Sequence, residues 1–170
     1  MQQQIRKLGN DIGWEIGPGI EEQYYLAFTL NGNINNLEVI NDILRNAPPS
    51  TNWEFRAGRP RRPFNPRLVF RNERGQTVEV NLEQWEYVLI EFDNGAFFDI
   101  EVVSNQVRMD ELAQQQAMWI AVQGALGEVD TLAYIDRIYM VHDPDHAWRE
   151  RSTPFMYLAE HFDGVRKGIR

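Results

Sequence analysis

Four side chains able to ligate a metal stand within five residues, His142-Asp143-Pro144-Asp145-His146. Two histidines four apart share a face only in a helix, and Pro144 inside the span clashes with a preceding helical turn and lacks an amide donor. A loop gathering His142, Asp143, Asp145 and His146 would make a small metal-dependent hydrolase site. Against this, the zincin pattern with its interposed glutamate is absent and no third ligand outside the segment is identified. The simpler reading is a polar turn built on Asp-Pro chemistry. His161, beside Glu160, reads as a surface residue of a C-terminal helix. Of Ser50, Ser104 and Ser152, none sits in a Gly-x-Ser-x-Gly elbow. The glycines at 13, 17 and 19 (GWEIGPG) do not have the spacing of a dinucleotide loop, and Pro18-Gly19 reads as a tight turn. No cofactor is expected.

A second feature is electrostatic. Arg56, Arg59, Arg61, Arg62, Arg67, Arg71 and Arg74 stand against one acid, Glu73, so this stretch carries +6 and, in a chain of net charge -8, the remainder carries -14. Arginine forks suit phosphate, and Phe55, Phe64 or Phe70 could stack on a ligand, so Arg59, Arg61 and Arg62 are candidates for binding an anion. The competing reading neutralises the arginines internally, through Glu79, Glu83, Glu86, Glu91, Asp99 and Glu101 on neighbouring strands, each exposed pair contributing at most about 1 kcal/mol. The acidic balance of the whole chain favours internal pairing and argues against nucleic acid. Glu128 and Asp130 follow a predicted helix at its C-terminal end, where negative charge opposes the macrodipole. That local cost points to a use elsewhere, as acceptors for an arginine or as part of a site.

The elements that position these groups follow from periodicity. Residues 24–30 (YYLAFTL) read as a strand closed by Asn31-Gly32-Asn33. Over 34–47, Leu37, Ile40, Ile43, Leu44 and Ala47 follow helical spacing until Pro48-Pro49. Residues 53–58 form the next strand; 67–71 with 77–82, and 85–92 with 96–103, read as hairpins, the second turning on Asp93-Asn94-Gly95. In that hairpin Phe98, Ile100 and Val102 share one face, while Phe97, Asp99, Glu101 and Val103 make the other face mixed. Asp110 starts and Gly127 ends a helix whose second half, 117–126 (AMWIAVQGAL), is apolar almost all round. Its far side must be covered, by the helically spaced segment 153–162 or by a second subunit. The last strand spans 134–141. The pattern predicts an α+β fold: a mostly antiparallel sheet with two main helices packed on one face plus a C-terminal helix, with a ferredoxin-like split as a possible arrangement.

The 170 residues suit a single domain, 1–170, that buries roughly 70% of its unfolded surface. No internal repeat or Gly/Ser linker divides it. Absence of cysteine removes disulfides and thiolate chemistry and suits the cytosol. The first nine residues have no apolar stretch of a secretory signal, and no run approaches a membrane span, so no membrane partner is expected.

Several motifs, taken together, resemble a group of small bacterial proteins of uncharacterised function. These are residues 14–19 (WEIGPG), a strand, turn and helix running into Ala-Pro over 26–48, a basic strand end over 53–62 (WEFRAGRPRR), and Leu-Gly-Glu, Asp and a strand over 126–140. The resemblance implies a widespread bacterial cytosolic domain and brings no activity with it. It draws attention to Glu128, Asp130 and residues 59–62 as motif positions. With no catalytic constellation, the sequence leads to a non-enzymatic interaction domain of accessory or immunity type, with a protein partner or a second copy. The metal-dependent hydrolase and anion-binding readings stand as the alternatives.

Overall fold

The computed structural model describes residues 12–104 and 110–168; the reading of the first nine residues lies outside them. The fold is α+β. It divides into two compact units, one of the described residues up to Arg61 with Gly127–Ala133, the other running from Arg62 to Leu126 and from Tyr134 onward. No linker marks the division, and the chain leaves the first unit at Arg61 and returns to it at Gly127.

The first unit contains β1 (Gly13–Pro18), β2 (Tyr24–Thr29), α1 (Asn36–Arg45) and β3 (Trp53–Ala57). β1 and β2 form an antiparallel hairpin, β3 lies parallel to β2, and the order is β1-β2-β3. A parallel neighbour requires a crossover, which α1 supplies. Leu37, Ile40, Ile43 and Leu44 form its apolar stripe against Leu26, Phe28 and Ala57, with Leu30 and Ile40 fully buried. α1 is two residues shorter at each end than its periodicity predicts; Glu38 in its first turn and Arg45 in its last complement the dipole.

The second unit opens with an antiparallel pair, β4 (Arg67–Arg71) and β5 (Thr77–Asn81), followed by the hairpin β6 (Trp85–Phe92) and β7 (Phe97–Ser104). Asp93 and Asn94 turn this hairpin with φ of 50° and 56°, a left-handed conformation that Asn and Asp tolerate. α2 (Glu111–Leu126) begins where predicted, the Asp110 Oδ1 accepting from the Ala113 amide at 2.9 Å. After α3 (Glu128–Tyr134), most of which belongs to the first unit, come β8 (Ile135–Met140), α4 (His146–Arg151), β9 (Thr153–Pro154) and, past a 3-10 turn, α5 (Leu158–Gly168). The sheet order is β8-β7-β6-β9, with β8 parallel to β7.

Each main helix covers one face of its own sheet. In α2, Ala117, Met118, Ala121, Val122 and Leu126 join Phe98, Ile100 and Val102 in the core, and Phe155, Leu158 and Phe162 close another flank. Phe155 lies edge-on to Trp85 at 5.6 Å and Phe162 to Phe98 at 5.4 Å. The C-terminal segment thus covers part of the over-apolar helix, while Trp119 on that helix is 38% exposed. The other sheet face is mixed: Val88, Val103 and Trp148 pack together, while Glu101 accepts from the Tyr139 hydroxyl and the Trp148 indole, both at 2.7 Å. Both units share one topology, hairpin, helix and parallel strand, realised as β1β2α1β3 and β6β7α2β8. A ferredoxin-like split would alternate strand and helix from the start; here a hairpin precedes each helix. No helix among the described residues is long and apolar enough to cross a membrane.

Two glycines separate conformational from steric demand. Gly58 has φ +74°, and a Cβ there would lie 2.9 Å from Leu30 Cδ1 and 2.8 Å from Val129 Cγ2, whereas Gly75, at φ +75°, faces open space. Gly75→Ala is expected to cost about 1 kcal/mol and Gly58→Ala at least about 1 kcal/mol more. Urea unfolding of both variants checks the order.

Candidate functional site

The acidic motif residues occupy a position different from the one their sequence suggests. Only Gly127 separates α2 from α3, so Glu128 and Asp130 lie in the first turn of a new helix instead of at the end of the old one. Negative charge there is favoured by the dipole, which removes the expected cost. Glu128 is fully buried. Its Oε1 accepts from the Leu30 amide at 3.1 Å and its Oε2 from the Arg59 amide at 3.0 Å, while its own amide donates to the Arg59 carbonyl at 2.9 Å. One carboxyl group therefore joins the chain just past β2, the chain just past β3 and the start of α3. Around it Arg61 pairs with Asp130 at 2.7 Å and Arg59 with Glu15 at 3.2 Å, and Glu15 also accepts from the Tyr25 hydroxyl at 2.5 Å.

Arg59, Arg61, Glu128 and Asp130 are thus brought together in the first unit by bonds among themselves and to the backbone. The Arg62 amide donates to the Gly124 carbonyl at 2.8 Å in the second unit. The expected pairing across neighbouring strands holds for Arg67, which grips Glu79 with two nitrogens at 2.7 and 2.9 Å. Elsewhere the partners differ from those expected. Arg56 takes Glu54, while Asp99 goes to Arg137 and Glu101 to Tyr139 and Trp148.

Glu54 was not singled out by the sequence. Its buried carboxylate receives the consecutive amides of Ile20, Glu21 and Glu22 on one oxygen at 2.5, 2.6 and 2.8 Å, and the Arg56 guanidinium on the other. The Glu22 amide, then Arg56 and the Glu21 and Ile20 amides, outweigh burial and hold the group down at about 2. The WEIGPG motif leads into the turn that supplies these amides. An acid at the second position of WEFRA carries no local mark of that partner, 32 to 34 residues away.

The His142 to His146 segment is a turn that passes into α4. Asp145 caps that helix, its Oδ1 accepting from the Trp148 amide at 2.7 Å, and exposed His146 lies 3.6 Å from Glu150. His142 and Asp143 are exposed. Among the described residues no group of three or more His, Cys, Asp or Glu side chains is placed to hold a metal ion. His161 is engaged: its Nδ1 lies 2.8 Å from the Tyr87 hydroxyl.

Within the second unit, a groove of about 640 Å³ opens beside α2. Leu68, Ile120, Ala121 and Phe155 line it, and Arg62 and Arg67 also border it. Phe64, Val69 and Met156 contribute exposed apolar surface to the same groove, and Met156 is 52% exposed. The groove therefore joins the outer side of the apolar helix to the downstream half of the basic stretch. Comparison with protein-family models, curated proteins and solved structures finds no match for this chain.

Two outcomes follow. Glu128→Ala removes the acceptor of two amides and is expected to cost about 2–5 kcal/mol in urea unfolding, whereas Asp130→Ala, at a partly exposed ion pair, costs about 1 kcal/mol or less. For Glu54, a folded pKa of about 2 against an ordinary 4.5 means its contribution is complete above 4.5 and lost as pH falls through 2. Thermal midpoints of Glu54→Gln should therefore depend less on pH across that window than those of the unaltered protein.

Proposed function

We propose that this protein is a non-enzymatic interaction domain of accessory or immunity type, in the bacterial cytosolic setting that the sequence resemblance implies, and that the groove beside α2 receives its partner. The groove itself carries the reading. Its volume lies in the range of ligand sites and its lining is mainly apolar, which suits a partner that offers an apolar side chain. The polar groups best placed for chemistry are engaged in holding the fold: Glu128 on amides, Glu54 on a turn, Asp145 on a helix start. Arg59 and Arg61, the other candidates for an anion, bind Glu15 and Asp130.

Val69→Glu and Met156→Glu place a carboxylate at exposed groove positions without touching the core. In affinity capture from a bacterial lysate, the unaltered chain should retain a specific protein that both variants lose by at least about tenfold, with thermal midpoints unchanged. The same captured set for all three chains would contradict the reading.

A further inference from the structure

The topology shared by the two units exposes a difference between them. In the second unit the outer hairpin strand, β6, places Trp85 and Tyr87 on the helix side, and both are fully buried. They are covered by the segment that follows β9, Phe155 lying 5.6 Å from Trp85 and 6.3 Å from Tyr87, and His161 5.8 Å from Tyr87. Two helices therefore complete this layer: α2 and α5.

The outer strand of the first unit is β1, and alternation places Trp14 and Ile16 on its helix side, since they pair with Phe28 and Leu26 of the α1 core. α1 has 10 residues, about 15 Å of helix. Cover decreases along the sheet: Ile12 is 9% exposed, Trp14 37% and Ile16 46%. Tyr24, 41% exposed and on the same face as Leu26 and Phe28 by alternation, continues the open surface, and its ring lies 5.3 Å from that of Trp53. Large apolar side chains contiguous on one sheet face mark an interaction site.

We infer that the open end of this face, Trp14, Ile16 and Tyr24, is a docking site for an amphipathic helix of another protein, seated as the segment from Phe155 through α5 is seated on β6. The charge of the surroundings sets the rest of its chemistry. Glu21 and Glu22, exposed in the turn that leads into Tyr24, give their amides to Glu54 and bring two negative charges to that turn. The matching helix has an apolar stripe flanked by lysine or arginine. This face shares no residue with the lining of the α2 groove, so the two assignments are tested by different substitutions.

The test uses the full chain and two synthetic amphipathic helical peptides with the same leucine and phenylalanine stripe, one flanked by lysines, the other by glutamates. The lysine peptide should shift the Trp14 indole resonance and bind at least about tenfold more tightly than the glutamate peptide. Ile16→Gln and Tyr24→Ser, both at exposed positions, should each weaken it by a similar factor with the thermal midpoint retained, while Met156→Glu in the groove leaves it unchanged. Failure of the lysine peptide to bind, or binding that survives both substitutions, overturns the assignment. Self-association in light scattering that Ile16→Gln abolishes also overturns it, giving the face to a second copy.

Discussion

A single buried carboxyl group organises the first unit. Glu128 reaches the Leu30 amide across 98 residues of sequence and the Arg59 amide across 69. Neither amide is part of a strand ladder, because β2 ends at Thr29 and β3 at Ala57. A buried N–H with no acceptor costs about 1–3 kcal/mol, so some acceptor must be brought to each. The fold brings one side chain to both by returning the chain after α2. Gly127 stops that helix, and α3 starts with Glu128 directed at the strand ends. Gly58 has no side chain where Leu30 and Val129 approach it, and the pairs of Arg59 with Glu15 and Arg61 with Asp130 surround the same point.

This explains why the motifs that stand out in the sequence are structural in kind. WEIGPG leads into the turn whose amides hold Glu54; WEFRAGRPRR contains Glu54 and the Arg59 amide; Leu-Gly-Glu brings Glu128. They lie far apart in sequence and meet in one unit. The chemistry they carry in this fold is hydrogen bonding of the backbone.

Much of the secondary structure was legible because periodicity and turn chemistry are local. The alternation in β7, the Asp110 start, the stop at Gly127 and the polar turn at His142 all follow from neighbouring residues. α3 was not legible: one glycine separates it from α2, and its seven residues read as the tail of one element and the approach to the next. Ion-pair partners were missed for a related reason. Charge counts show that the arginines can be neutralised, but the choice between Glu15 and Glu83, or between Asp130 and Asp99, depends on which strand ends meet. The shared topology of the two units was also hidden, because hairpin, helix and strand can be written in unrelated residues.

Amide hydrogen exchange of the unaltered protein and Glu128→Ala tests the central role of Glu128 most directly. The Leu30 and Arg59 amides should be protected in the unaltered protein, and both should accelerate together, by at least about tenfold, in the variant. The Val102 amide in the second unit should change less. Unchanged exchange at Leu30 and Arg59, or acceleration of only one of them, would contradict the claim that one carboxyl group holds both strand ends.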